Sequence, residues 1–370
     1  MNIRLINFSD QKVDNGNKME GTSFLKKMIS HKGLIFICVG IVIRIFMLFY
    51  YYYTHTIAPG KSWGDVRYNY DNYTSSIYPP LTIMLLTFFR YLSFGFIEVF
   101  AFWAFLLDLI TTLMFYFVIK GFNIPKKNFA FGLFLLNPFF FLNNSFSLQN
   151  CGYHITDAIF FFFLFMALIF YTKTDNKSRW LFYIFLSLSI SAKIYTFPVL
   201  GFFFLKFIIS KDWKELKMFI LSNILVLGVF LLLPIFFGEN FLLTYLFWNA
   251  RGETFIPLFI RLIPVSILVL LFLIFRLKKA DLFEIVIVSI VATASFMFFS
   301  NPFVRYFQPL LFYGILKHKD FFSFKINLGF IKGKISVDNH IVTFVLSILA
   351  VLLAYLVIIL VFDPFYSSFS

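Results

Sequence analysis

Two carboxylates and a rigid turn lie close together near the beginning of the chain. Asp65 and Asp71 are separated by five residues, and Tyr78-Pro79-Pro80-Leu81 follows them. A carboxylate can act as a general base or as the partner of a cation. A proline after an extended residue is typical of a helix start. We therefore interpret residues 54–96 as an active-site loop that directly follows the first apolar segment.

The composition indicates where this loop must work. Of the 370 residues, 60% are hydrophobic, 23% are aromatic and 14% are charged, which predicts an all-α polytopic membrane protein. A spanning helix needs about 20 mostly apolar residues, and this criterion predicts about 11 transmembrane helices. They lie near 33–53, 97–118, 128–146, 154–172, 180–195, 196–210, 218–237, 258–275, 282–300, 303–316 and 341–362.

The basic residues predict the topology. Residues 1–32 form a cytoplasmic N-terminal tail, 33–362 a single transmembrane domain and 363–370 an outer C-terminal tail, so the N-terminus is inside and the C-terminus outside. Most of the 32 Lys and Arg residues then fall in cytoplasmic loops, as the positive-inside rule requires. The apolar stretch 81–94 would reverse every later loop if it crossed. Because it is also short and carries Arg90, we predict that it is an interfacial helix in the first outer loop.

The charge and the cysteines exclude other classes. The formal charge of +14 comes from short clusters between apolar runs, so we predict no nucleic-acid partner. Cys38 and Cys151 cannot form a disulfide framework or a metal cluster. The five histidines show no paired spacing on a helix, and we predict no metal and no cofactor.

Polar residues on the predicted outer side form a short set of candidates. A charged side chain at bilayer depth costs about 2.5–3.5 kcal/mol, so those near the ends of spans should have partners or line a wet cavity. Lys193 either extends to the outer headgroups or binds a phosphate. The polar residues on this side are Asp65, Arg67, Asp71, Gln149, His154, Asp157, Lys193, Glu239, Arg251, Glu253, Asn301, Arg305 and Tyr306.

Two further charges lie within predicted spans. Arg44 belongs to the first span and Asp108 to the second. We predict that they pair across the helix interface, because pairing satisfies both charges without any catalytic duty.

In pattern, most of the chain resembles the membrane-embedded glycosyltransferases of the GT-C superfamily. The likeness is to bacterial relatives of the second GPI mannosyltransferase or of the dolichol-linked glucosyltransferases. The matching features are Asp65 or Asp71 before Tyr78-Pro79-Pro80-Leu81, Asn137-Pro138 before Tyr153-His154-Ile155-Thr156-Asp157, Lys193 before Pro198, and Arg305-Tyr306 before Pro309. Many relatives carry adjacent acids or a Gly-Gln-x-Asp motif, whereas here Gln149 is displaced from Asp157.

This resemblance implies a function and a set of roles. A hexose, mannose or glucose, would move from a polyprenyl-phosphate-linked donor to a glycan, lipid or protein acceptor on the non-cytoplasmic face of a prokaryotic plasma membrane. Inverting transfer needs an Asp general base and cations for the leaving phosphate. The implied roles are catalytic for Asp65 and Asp71, donor-phosphate-binding for Arg251, Arg305 and Lys193, and substrate-binding for Arg67, Tyr78, His154, Asp157, Glu253 and Tyr306.

Two other classes remain open. A transporter or flippase of a lipid-linked saccharide should show inverted repeats and broken spans with ionisable residues near the midplane, whereas the outer polar residues here gather on one face. A membrane acyltransferase would use a histidine as base, and His154 and His55 are the outer candidates.

Overall fold

The computed structural model describes residues 21–57, 64–74, 78–124, 126–136, 154–236 and 258–298, with short stretches at 312, 314–316, 324–327, 334–337, 345 and 349. This part of the chain is mostly helical, as the composition predicts. Its helices are α1 (Gly21–Ile57), α2 (Gly64–Asp71), α3 (Pro80–Leu92), α4 (Ile97–Gly121), α5 (Lys127–Leu135), α6 (Ile155–Tyr171), α7 (Asn176–Ala192), α8 (Val199–Ser210), α9 (Trp213–Phe236), α10 (Leu258–Leu271) and α11 (Leu282–Phe298).

Three short elements complete the described secondary structure. A 3₁₀ turn, Ile194–Thr196, separates α7 from α8, and a π-helical turn, Phe272–Arg276, continues α10. Strands β1 (Phe324–Asn327) and β2 (Lys334–Val337) pair antiparallel. We did not predict this hairpin, although each strand alternates apolar and polar residues with the period of two that strands show.

Several helices differ from the predicted spans. Helix α1 begins at Gly21, inside the predicted tail. The predicted span 128–146 is represented by α5, which ends at Leu135. Nine residues are about 13 Å of helix, less than half the thickness of a bilayer core. The predicted spans 303–316 and 341–362 lie almost entirely outside the described residues.

Two helices of the described part are long and apolar enough to cross a membrane. They are the segment Gly33–Ile57 of α1 and the whole of α4, each 25 residues long. Less than half of each segment is fully buried, and α1 exposes Val42, Phe46 and Phe49. Large exposed apolar surfaces are typical of contact with lipid or a partner. These two helices are compatible with a membrane protein. The number of crossings and their direction are predictions from the sequence.

Helices α1 and α4 lie antiparallel. Near the end of α1, the hydroxyl of Tyr52 donates to the carbonyl oxygen of Glu98 at 2.8 Å, and His55 Nε2 lies 3.0 Å from Glu98 Oε1. Farther back along α1, Arg44 contacts Asp108. We call the end where α1 ends and α4 begins the upper end, and the opposite end the lower end.

Helix α6 runs in the same direction as α4 but begins much lower. The hydroxyl of Thr111 lies 3.3 Å from the carbonyl oxygen of Ala158, and the rings of Phe122 and Tyr171 lie 6.0 Å apart at the lower end. The first turn of α6 is therefore level with Asp108, about 16 Å below the start of α4 at 1.5 Å per residue. The upper part of α4 rises above α6 by that distance.

Helix α7 returns antiparallel to α6 after a short turn at the lower end. Asp175 caps α7, because its Oδ1 accepts the backbone N–H of Ser178 at 2.8 Å. Hydrogen bonds from Ser178, with the charge of Lys173, hold the pKa of this exposed carboxyl below its ordinary value. The stability from this cap is present at neutral pH and is lost as the pH falls through the lowered folded-state pKa.

Helix α3 covers the space above α6 and α7. It begins with Pro80 as its first residue after the extended Pro79, which confirms the predicted proline-fixed helix start. The hydroxyl of Thr82 donates to the carbonyl oxygen of Ala192 at 2.6 Å, so α3 starts at the top of α7. Its other end joins the start of α4 through Phe94 and Gly95, both at positive φ. Both ends of α3 thus lie in the upper half of the bundle.

The apolar core has an upper and a lower cluster. The upper cluster includes Met47, Val66, Phe100 and Ile155, so it joins α1, α2, α4 and α6. The lower cluster is centred on aromatic rings, with Phe115 4.2 Å from Phe134 and 5.0 Å from Phe165 between ring centroids. The two clusters meet at the level where α6 begins.

Glycines allow α1 and α5 to pack closely. A Cβ added to Gly40 would lie 2.5 Å from the Cβ of Leu135, and one added to Gly132 would lie 2.6 Å from the Cβ of Phe36. Both distances are far below ordinary contact. This approach brings the C-terminal carbonyl of α5 against α1.

We predict that Gly40→Ala lowers the free energy of unfolding by about 1–3 kcal/mol, because the added methyl group overlaps Leu135. Gly201→Ala is the matched control, since a Cβ at that position meets nothing within 4 Å. The control should be stabilising by about 0.5–1 kcal/mol, which is the helix-propensity gain of Ala over Gly. Denaturation of both variants in detergent measures the difference. Equal stability of the two variants would contradict the close packing of α1 on α5.

Candidate active site

Arg44 is the centre of a buried polar network. Its Nε lies 3.1 Å from Asp108 Oδ2, which confirms the predicted pairing of these residues. Its Nη1 donates to the carbonyl oxygens of Leu135 at 2.7 Å and Gly40 at 3.3 Å. Arg44 is only 3% exposed. One guanidinium therefore neutralises a carboxylate on α4 and satisfies the end of α5 from its position on α1.

A second ion pair lies at the same depth. The ammonium group of Lys193 contacts Asp157 Oδ1, so of the two predicted alternatives, a partner or a wet cavity, these charges have a partner. Asp157 is in the first turn of α6, and Lys193 is the C-cap of α7. A negative charge at a helix N-terminus and a positive charge at a C-terminus both complement the helix dipoles. The pair thus stabilises both helix ends where they meet.

This ion pair is partly open. The side chains of Asp157 and Lys193 are 13% and 16% exposed. The Lys193 ammonium also lies 4.6 Å from the ring centroid of Tyr195. A carboxylate and an aromatic face surround the cation on the protein side. The remaining exposure allows a further anion to approach Lys193.

His154 lies near both ion pairs. It is the N-cap residue of α6 and has an extended backbone. It lies close enough to Asp108 to interact with it electrostatically, and it is three residues from Asp157. We call these five residues, Arg44, Asp108, His154, Asp157 and Lys193, the polar level.

The described helices of the predicted active-site loop, α2 and α3, lie above the polar level. Helix α2 packs on the start of α4, where the rings of Tyr70 and Phe100 lie 5.5 Å apart, and the Tyr70 hydroxyl donates to the carbonyl oxygen of Gly95. Asp71, on the last turn of α2, lies 3.9 Å from Arg67 Nη1. The side chain of Asp71 is about half exposed. A carboxylate of this kind is accessible to a substrate.

Cation–π contacts fix α2 against α3. The guanidinium of Arg90 lies 3.8 Å above the ring of Tyr70 and 5.9 Å from that of Tyr73. Sequence reasoning assigned no role to Arg90 or to Thr82, which anchors α3 on α7. Thr82 follows Tyr78-Pro79-Pro80-Leu81 and therefore lies in the first turn of the predicted helix. This position at a helix start was the available signal for a contact with a neighbouring helix.

The structure describes some of the predicted site residues and not others. Asp157, Lys193 and His154 share the polar level, while Arg67 and Asp71 lie on α2 above it. Tyr78 is partly buried against the upper cluster. The backbone of Asp65 belongs to α2, but its side chain lies outside the described part, as do Arg251, Glu253, Arg305 and Tyr306. The described residues contain no group of three His, Cys, Asp or Glu that could hold a metal ion.

Comparison with known proteins adds no relative. No protein-family model matches the chain, and no curated protein or solved structure is significantly similar to it.

We predict that Asp157 and Lys193 are energetically coupled by about 1.5–3 kcal/mol, the range for hydrogen bonds to charged groups. The measurement is a double-mutant cycle of Asp157→Asn, Lys193→Met and the double variant, followed by denaturation in detergent. Each single variant leaves one charge without this partner, so the double variant should lose less stability than the sum of the two. Strict additivity of the two losses would show that the ion pair does not form.

Proposed function

We propose that the chain is an integral membrane glycosyltransferase that moves a hexose from a polyprenyl-phosphate-linked donor to an acceptor on the non-cytoplasmic face. The observation that carries the proposal is the partly exposed Lys193, held by Asp157 at the polar level beneath the acidic helix α2. A cation and a carboxylate are the two groups that sugar transfer from a lipid phosphate needs.

Lys193 has the role of receiving the phosphate of the donor. As the sugar leaves, the bond between the anomeric carbon and the phosphate oxygen breaks, and the electron pair remains on the phosphate. A positive charge in a site shielded from water stabilises this developing charge strongly. Asp157 positions the Lys193 ammonium before the donor arrives, so little reorganisation is needed during the reaction. Arg251 and Arg305 are further proposed phosphate ligands.

An aspartate above Lys193 has the role of general base. It takes the proton of the acceptor hydroxyl while that oxygen attacks the anomeric carbon from the face opposite to the phosphate, which inverts the configuration. Asp65 and Asp71 are the candidates, and both belong to α2. Arg67, one turn before Asp71, places its Nη1 3.9 Å from Asp71 Oδ2. Arg67, Tyr78, His154, Glu253 and Tyr306 are proposed substrate contacts.

A transporter of a lipid-linked saccharide is the second candidate, and one observation favours it. Helix α5 ends at Leu135 partway along α1, and Arg44 and Asp108 are ionisable residues at the same depth. Broken helices with charges near the midplane are typical of transporters. Arg44 and Asp108 are paired with each other and with a helix end, however, and a structural role accounts for them fully.

We predict that the purified chain in nanodiscs transfers sugar from one member of a panel of polyprenyl-phosphate sugars to a cell-envelope lipid extract. Loss of the general base in Asp65→Asn or Asp71→Asn should reduce the rate about 10²–10⁴-fold. Lys193→Gln should reduce it about 10²–10³-fold through lost charge stabilisation. Radiolabelled product measured at fixed protein concentration gives these rates.

Asp175→Asn is the matched control, because Asp175 is an exposed acid at the lower end and Asn also caps helices well. It should transfer at the rate of the unmodified chain. Transfer that survives in both Asp65→Asn and Asp71→Asn would remove the proposed base. No transfer from any donor, with saccharide movement across proteoliposomes, would replace the enzyme with the transporter.

A further inference from the structure

A cavity of about 300 Å³ lies between α10, its π-helical extension and α11. It is at the lower end, because Phe283 of α11 lies 5.1 Å from Phe122, just after α4. This volume is at the lower limit of small-molecule sites. The walls are apolar and consist of Leu268, Phe272, Ile287, Val288 and Val291.

The mouth of the cavity is formed by an ion pair. Arg276 Nη2 lies 3.0 Å from Glu284 Oε1, and the Arg276 side chain is 58% exposed whereas that of Glu284 is 9% exposed. Arg276 thus neutralises a buried carboxylate and still presents much of its guanidinium to the surroundings. An exposed arginine side chain can bind a phosphate as well as a carboxylate.

Further basic residues surround this mouth. Lys278 and Lys279 are exposed in the turn after Arg276. The ammonium of Lys206 donates to the carbonyl oxygens of Leu277 at 3.3 Å and Lys278 at 3.0 Å, so it adds positive charge beneath the same turn.

Two acids face this basic cluster. Glu284 pairs with Arg276, and Asp281 accepts the backbone N–H of Glu284 at 2.8 Å. Against Arg276, Lys206, Lys278 and Lys279, these acids leave the mouth positively charged. The carboxylate of Glu284 is also nearly buried, so the surface that a ligand meets is mainly basic.

The shape of the cavity fits an acyl chain. From Arg276 to Leu268 the helix rises about 12 Å, so the apolar walls run from the charged mouth into the apolar part of the bundle. The outer face of α10 and its π-helical extension is also apolar, with Leu271, Ile274 and Phe275 exposed by 51%, 63% and 72%. A ligand at this place must therefore have a negative head at the mouth and a hydrocarbon tail along the groove.

We propose that this cavity, an apolar groove between α10 and α11, binds one anionic glycerophospholipid. The acyl chain lies between the two helices and the phosphate at Arg276, Lys278 and Lys279. Basic pockets between helices on the cytoplasmic side bind lipids of this class. The positive mouth is complementary to the anionic headgroup, and the apolar walls favour a ligand that also has a hydrocarbon part. The site rests on membrane association and not on sugar transfer, because it lies at the end of the bundle opposite to Lys193.

Native mass spectrometry of the full chain in detergent tests this site with phosphatidylglycerol and phosphatidylcholine of identical acyl chains. We expect preferential retention of phosphatidylglycerol. Arg276→Gln should weaken it about fivefold, since each basic residue near an anionic lipid contributes about 1 kcal/mol. Lys217→Gln, an exposed lysine on α9, is the matched control and should leave binding unchanged.

Arg276→Gln removes the partner of Glu284 and could prevent folding. Two other variants test the site without removing that partner. Lys278→Gln with Lys279→Gln leaves the Arg276–Glu284 pair intact and should still weaken phosphatidylglycerol binding. Val288→Phe fills the groove without changing any charge and should weaken it too. Equal retention of both lipids, no effect of Val288→Phe, or displacement of the lipid by soluble glycerol phosphate would each overturn the proposal.

Discussion

The contacts of Arg44 determine how the upper and lower halves of the bundle meet. An arginine in an apolar environment is costly unless its donors are paired, and here the donors reach a carboxylate of α4 and a carbonyl at the end of α5. A helix that ends in an apolar environment has carbonyl groups without intrahelical partners. Arg44 satisfies one of them, the carbonyl of Leu135 at the end of α5. The close packing of Gly40 on Leu135 is what brings that carbonyl within reach.

Helix α5 is short, and α6 begins well below the start of α4. Polar groups at these helix ends therefore lie inside the bundle and not only at its surface. Once Asp108 is fixed by Arg44, His154 and the first turn of α6 lie beside it. The second ion pair then forms where α6 and α7 meet. Because α3 rests on Ala192 and α2 rests on the start of α4, α2 lies nearer the upper end of the bundle than Lys193 does. The candidate site is therefore a consequence of where helices end, and its charges are held in place before any substrate binds.

The sequence predicts those features of this arrangement that depend on pairs of opposite charges or on local backbone geometry. Opposite charges in two adjacent apolar segments predicted the pairing of Arg44 with Asp108, and two consecutive prolines predicted the start of α3. The sequence also contained a signal for the partner of Lys193, because α6 and α7 have 17 residues each and a short turn joins them. Helices of equal length in a hairpin bring Asp157 and Lys193 to the same end.

Other features could not be read from the residues alone. Asn137-Pro138 is a local signal for a helix end near Leu135, but the hydrogen bond that the carbonyl oxygen of Leu135 accepts comes from Arg44, which is 91 residues away. The depth at which α6 begins follows from its packing on Thr111, also a long-range contact. The hairpin of β1 and β2 had the right alternation, but a loop between spans was the simpler interpretation of so short a segment.

The accessibility of the polar level tests the account most directly. In a chain with Cys38→Ala and Cys151→Ser, a cysteine at His154 should react with a membrane-impermeant maleimide added outside intact cells. Lys177→Cys, at the lower end, should react only after permeabilisation, and Leu113→Cys, on the exposed apolar face of α4, should stay unreactive in lipid. Labelling of His154→Cys only from the cytoplasmic side, or not at all, would contradict a polar level that opens to the non-cytoplasmic face.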